Sequence, residues 1–167
     1  PLVVRAWGKA RNVQLRDWVA GWADPRQAGM LGHAGSETGA WHNALGLEKA
    51  RVTDTLRTGV TFDLSKAFDR VSWTAVRGLC SLTGMPAGLQ SAVLDLYSNL
   101  RRHFQSPGTR TVSTPLPADR GIPQGCAIAP SLMALMVRAW IAVLDDIALP
   151  LGARWDIRTT VDDVHVA

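Results

Sequence analysis

Only two cysteines, Cys80 and Cys126, occur in the 167 residues. Two thiols cannot build a disulfide framework or a four-cysteine zinc site, so a reducing compartment is the default expectation. Glutamate is equally scarce: two Glu stand beside twelve Asp, and carboxylate chemistry therefore falls to aspartate. Low-complexity tracts and internal repeats are missing, which excludes a solenoid and a flexible linker. The first residues carry no basic segment followed by an apolar run and do not read as a signal peptide. One long apolar stretch exists, from Cys126 to Leu144, but Arg138 interrupts it, Pro130 and Ser131 sit near its start, and Asp145 and Asp146 follow without a basic flank. The expectation is a buried helix with proline in its first turn and no membrane span.

What is present suits a folded domain. Hydrophobic residues make up 47% and charged residues 19% of the chain, close to ordinary globular usage. Eighteen basic and fourteen acidic side chains leave a net charge of +4, a mild excess that favours a polyanionic partner without specifying one. Fifteen of the basic residues are Arg, whose planar fork suits phosphate, although an Arg-rich codon bias gives the same count. The chain opens on Pro1 and stops at Ala167 where a sheet is expected to continue, so both ends read as cut.

Apolar periodicity predicts a first helix from Val4, with Trp7, Leu15, Trp18 and Trp22 on one face and Asp24-Pro25 ending it. Arg5 and Lys9 share a face that suits either phosphate or solvent. After a glycine-rich loop, Ser36 reads as the N-cap of a second helix carrying Trp41, Ala44, Leu45, Glu48 and Val52 and stopping at Gly59. Val60 to Phe62 then change the period and predict a short buried strand leading into Asp63 and Leu64. Helices are expected over 73–82 and 89–100, separated by Gly84-Met85-Pro86. A turn at Ser106-Pro107-Gly108 predicts a hairpin over 103–114, and Arg101, Arg102 and His103 before it form a basic cluster. Alternation at Trp155, Ile157, Thr159 and Val161, resumed at Val164 to Val166, predicts a last hairpin with Asp162 and Asp163 at its tip. The whole is an α+β arrangement.

Asp63 ends one expected strand and Asp162 and Asp163 cap another, so an antiparallel sheet brings three carboxylates to one edge. Such a cluster repels itself unless cations neutralise it. Hard oxygen ligands suit Mg²⁺, with Mn²⁺ as a substitute, and a pair of such ions serves phosphoryl transfer. Shared ligation requires carboxyl groups within ~4–8 Å of one another. Asp145-Asp146 is also an aspartate pair, yet it ends an apolar helix with no strand context, so a bare pair carries little information. His33, His42 and His165 show no metal-ligand spacing with cysteine.

The order of three strings is more specific. Thr61-Phe62-Asp63-Leu64-Ser65-Lys66-Ala67-Phe68-Asp69-Arg70-Val71, then Gly121-Ile122-Pro123-Gln124-Gly125-Cys126, then Val161-Asp162-Asp163 resemble the first, second and third palm motifs of reverse transcriptases. Gln27-Ala28-Gly29 through Gly35-Ser36 is similar to the glycine-rich fingers segment of the retrotransposon and group II intron branches. The resemblance covers almost the whole chain. It implies a reverse-transcriptase palm with an antiparallel sheet packed on helices, partial fingers over 1–58, palm over 59–167, and no thumb. It further implies an RNA-directed DNA polymerase working with two metal ions on an RNA template, a DNA primer and dNTPs, inside the cell, in nucleus or cytoplasm. By the same resemblance Asp63, Asp162 and Asp163 are the catalytic, metal-holding acids and the Leu64 carbonyl is a backbone ligand. Phe68 is implied as the steric gate against a 2′-hydroxyl, and Gln124 and Gly125 as contacts to the incoming nucleotide or template. The family places an aromatic two residues before the paired aspartates; Thr160 stands there, which alters the contact with the primer end.

Two other readings share these residues. An RNA-directed RNA polymerase has the same palm and metal logic, but the Pro-Gln-Gly loop and bulky Phe68 speak against it. An inactive remnant that only binds nucleic acid is opposed by the intact Asp63, Asp162 and Asp163.

Overall fold

The structure, a computed structural model, describes residues 2–28, 35–108, 110–148, 150, 157–159 and 163–166. It is a mixed α and β fold. Helices α1 (Leu2–Gln14), α2 (Arg16–Trp22) and α3 (Ser36–Val52) precede strand β1 (Val60–Asp63), a single turn α4 (Ala67–Arg70), and the pair α5 (Trp73–Leu82) and α6 (Ala87–Ser98). Short strands β2 (Arg101–Arg102) and β3 (Leu116–Pro117), the long helix α7 (Ala129–Ala148), and strands β4 (Ile157–Thr159) and β5 (Asp163–Val166) complete it.

The first expected helix is divided. Leu15 adopts φ −88° and ψ −6°, and its amide donates to the Asn12 carbonyl at 3.2 Å, a tightened i to i−3 turn that stops α1. The break lets Leu15 enter the core with no exposed surface, while Trp18 and Trp22 meet edge to face at 5.3 Å. Helix α3 also ends early. Asp54 takes a left-handed φ of 49°, and the Thr55 amide reaches back to the Ala50 carbonyl at 2.9 Å, a Schellman closure with Asp in the place usually held by Gly. Its start is capped by Gly35 instead of Ser36. Trp41, Leu45 and Val52, which carry its face pattern, are exposed.

Helix α7 is the centre of the core. Leu132, Met133, Ala134, Leu135, Val137 and Ile141 are buried on it, and Ile122, Ile128, Tyr97, Val93 and Val76 pack in the same cluster. Each fully buried aliphatic of this kind stabilises the fold by about 1.5–3 kcal/mol. Pro130 falls in the first turn, where its missing N–H costs no intrahelical bond. Among the described residues no helix is long and apolar enough to cross a membrane.

The main sheet runs in the order β1-β5-β4, antiparallel throughout. β1 pairs with β5 in the register Val60 with Val166 through Asp63 with Asp163. β1 is thus an edge strand, and all four of its residues are exposed, correcting the expectation of a buried one. Its contact with the helical layer is Phe62, whose ring meets that of Trp140 edge to face at 5.7 Å. The 103–114 turn forms as expected: the Ser113 amide donates to the Phe104 carbonyl at 2.8 Å, Gln105 bridges Val112, and β2 pairs with β3 beyond them.

A polar cluster fastens residues 24–28 to both α7 and the sheet. Asp24 is buried and accepts from the Arg26 guanidinium at 2.7 Å, which also grips both oxygens of Asp145 at 2.8 Å. Arg138 stands 3.6 Å from the same Asp24 carboxylate. Gln27, 2% exposed, donates to the Ala134 carbonyl at 2.8 Å. The Ala28 amide donates to the Thr159 carbonyl and the Thr159 amide to that of Arg26. The Arg26 hydrogen bonds hold Asp24 below the ordinary carboxylate value of 3.8 and lower Asp145 likewise, while the two acids raise Arg26.

Because the folded Asp24 is depressed, its contribution is complete above pH 3.8 and is lost as pH falls through the lower folded value. Asp24→Asn should therefore flatten the acid limb of a plot of Tm against pH below about pH 4. Asp24→Ala, which leaves Arg26 and Arg138 without their buried partner, should cost about 3 kcal/mol in urea unfolding at pH 7. That is the low end for a broken buried pair, since Arg26 keeps a quarter of its side chain in solvent. An unchanged midpoint would show that this cluster does not anchor the fold.

Candidate functional site

β1 delivers Asp63 to the end of the main sheet, and the next residues turn sharply. The Leu64 carbonyl accepts the Ala67 amide at 3.0 Å, and Lys66 takes a left-handed φ of 54°, a conformation that costs a non-glycine residue roughly 1–3 kcal/mol. Its carbonyl then receives the Asp69 and Arg70 amides, starting α4. Asp63 lines a cleft of about 700 Å³. Leu64, Ser65 and Arg70 form one side of this cleft, and Met133, Met136, Val137 and Trp140 of α7 form the other.

Asp63 and Asp163 are directly paired across β1 and β5. The register sets the backbones of the two aspartates face to face at the end of the sheet. Among the described residues the Asp63 carboxylate has no ion-pair or hydrogen-bond partner. An all-oxygen donor set at a solvent-facing strand end fits Mg²⁺ in ligand type. Asp162 and Thr160 lie outside the described residues, and among those described no three His, Cys, Asp or Glu side chains form a metal-binding group. The Leu64 carbonyl, engaged by Ala67, keeps a second lone pair.

The second string is locked to the first by its backbone. Gly121 has φ +94°, and a Cβ there would sit 2.9 Å from the Asp69 carbonyl oxygen, so only glycine fits. Its amide donates to the Val71 carbonyl at 2.8 Å, and that of Ile122 to the Phe68 carbonyl at 2.7 Å. The Trp73 indole N–H closes the join on the Gly121 carbonyl at 2.8 Å. Gln124 and Gly125 follow on the exposed part of the loop, with Gly125 at φ +82°. Phe68 is half-buried against the core, and neither it nor Gln124 nor Gly125 lines the cleft that holds Asp63. The structure thus joins Asp63, Leu64 and the Asp163 position in one place, and Phe68 with the 121–125 loop in a neighbouring one.

Several residues at the site had no distinct sequence signal. Arg70 enters the cleft, and Arg102 approaches Asp69 at 3.9 Å. Arg5 lies over Gly125: a Cβ added there would be 3.3 Å from the guanidinium. The Arg5 and Lys9 spacing and the basic cluster at Arg101, Arg102 and His103 were the hints, and both fit a solvated face equally well. The cysteines are not nucleophiles here. Burial pushes the Cys80 thiol up to about 11, and Cys126 is buried and receives the Tyr97 hydroxyl at 3.3 Å. Compared with protein-family models and with curated proteins, the chain matches none.

Proposed function

We propose that this chain is the palm and part of the fingers of an RNA-directed DNA polymerase that copies an RNA template onto a DNA primer. The observation that carries the reading is the antiparallel register setting Asp63, which lines a cleft, opposite Asp163, in a chain whose three motif-like strings follow in polymerase order. In the reaction the primer 3′-hydroxyl attacks the α-phosphorus of a dNTP, a new P–O bond forms, and pyrophosphate leaves. Asp63, Asp162, Asp163 and the Leu64 carbonyl would hold two Mg²⁺ ions. When bound, these supply positive charge at the attacking and departing oxygens. The chain's own residues orient the partners: the Gly121–Gly125 loop offers Gln124 to the nucleotide or template, and Phe68 stands as the wall against a 2′-hydroxyl. The palm sheet is the β1-β5-β4 layer, packed on α7 through Phe62 and Trp140.

In a chain active in primer extension, Asp162→Asn should abolish extension while leaving oligonucleotide binding nearly unchanged. The substitution removes a ligand at constant side-chain volume, and affinity rests mainly on basic contacts to phosphate. Equal extension rates at saturating Mg²⁺ would show that Asp162 is no ligand.

Phe68→Ala should raise ribonucleotide incorporation far more than it lowers deoxyribonucleotide incorporation, because a wall that only excludes an atom adds nothing to the chemical step. A core aromatic behaves differently, losing ~3–5 kcal/mol of stability on truncation with selectivity unchanged. Incorporation of both nucleotide types, measured beside a thermal melt, separates the outcomes. A lowered Tm with unaltered selectivity would return Phe68 to the core.

A further inference from the structure

The Gly121–Gly125 loop is bracketed by two guanidinium groups delivered from different elements. From α1, Arg5 lies over Gly125, with three guanidinium atoms within 3.9 Å of where a Cβ would stand. From β2, the Arg102 guanidinium reaches within 3.2 Å of the corresponding point on Gly121. Both cations are exposed. Among the described residues Arg5 has no acidic partner. Arg102 has the loose 3.9 Å approach of Asp69 and helps to lower the Asp119 carboxyl, which is itself paired with Arg120. Neither arginine is held in a close ion pair.

Phe104 stands two residues beyond Arg102, just past the end of β2. Its backbone is fixed by the Ser113 hydroxyl at 2.9 Å and the Ser113 amide at 2.8 Å. Its ring is nevertheless 66% exposed. An exposed aromatic two residues from an exposed arginine, on a segment with a fixed backbone, suits the pairing of stacking platform and phosphate-binding cation that holds single strands.

We propose that Arg5, Arg102 and Phe104 form a track for one single-stranded nucleic acid across the Gly121–Gly125 loop, the arginines neutralising two phosphates and Phe104 stacking a base. That the strand is the template rests on the polymerase reading. The binding does not, and it is measured without catalysis.

The test follows the fluorescence anisotropy of a labelled 20-nucleotide single-stranded RNA of mixed sequence over a range of KCl concentrations. Removing one cation that neutralises a phosphate of a single strand should make the slope of log K against log salt shallower by about 0.7. Arg5→Ala and Arg102→Ala should each show that change and the double variant about 1.4. Arg77→Ala, an equal loss of charge on the exposed side of α5, should leave the slope alone. Phe104→Ala should weaken binding roughly fivefold or more at every salt concentration with no change of slope. On an abasic strand of the same length it should match the parent.

A double variant with the parent slope, or an Arg77→Ala slope shifted as much, overturns the arginine track. Equal RNA affinity for Phe104→Ala and parent overturns the stacking role. Should Arg102→Ala fail to fold without its approach to Asp69, Arg5→Ala decides the matter alone. In a chain active in primer extension, the expected slopes together with extension unaffected by Asp162→Asn would remove the metal-site reading and leave the track. Extension with unaltered slopes would do the reverse.

Discussion

A glycine at position 121 holds the two halves of the site together. With φ at +94° and the Asp69 carbonyl where a side chain would begin, the backbone of the loop lies against the backbone of α4. Any larger residue would have to move one of them. Three hydrogen bonds exploit that closeness, from the Gly121 and Ile122 amides and the Trp73 indole. The turn after Asp63 is therefore fixed by a residue more than fifty positions away, and the loop carrying Gln124 is fixed by the turn. Neither string has enough local structure to hold its own shape: α4 is a single turn, and residues 121–125 form no element.

The second organising fact is the length of α7. Its early part meets Gln27 through the Ala134 carbonyl, its middle carries Met133, Met136 and Trp140 into the Asp63 cleft, and its last turn offers Asp145 to Arg26. One apolar helix thus connects the polar clamp at 24–28, the cleft and the edge strand β1. Burial provides the stability, and the polar groups give direction. Among the arginines facing acids here, Arg26 satisfies two carboxylates at once with fork geometry that a lysine cannot reproduce.

Much of this was legible from residue order. Helix α5 fits its expected limits and α7 runs three or four residues later than expected at each end, because proline, glycine and apolar period agree there. The hairpin at Ser106-Pro107-Gly108 follows from turn chemistry. The errors have common causes. The break at Leu15 and the stop at Asp54 use backbone conformations that neither residue type advertises. The exposure of β1 depends on its place at the sheet edge, which is a property of pairing and not of its own sequence. Asp145 carried no signal because its partner lies 119 positions earlier, and proximity of that range cannot be read from spacing. At the site, Asp63 and its pairing with the last hairpin were visible as two strand-ending acids. Arg5 and Arg102 were visible only as basic surface residues and Arg70 only as part of the first string, and nothing in their spacing put them beside the site, since an exposed arginine looks the same in sequence wherever the fold carries it.

Lys66 shows how that placement constrains the chemistry. Between the last residue of β1 and the first of α4 there are only three positions, and the chain must reverse from an edge strand into a helical turn within them. A left-handed residue achieves this, and glycine would do so with least strain; lysine holds the place at a cost of roughly 1–3 kcal/mol. Such strain persists only where the surroundings over-determine the backbone. Here the Leu64 carbonyl bond to Ala67 on one side and the Gly121 join on the other supply that constraint. Asp63 itself is exposed and unpartnered among the described residues, so its own contacts do not position it. Its place is set by the strained turn that follows it and by the paired strand opposite, and among the described residues its carboxylate is left without a protein partner.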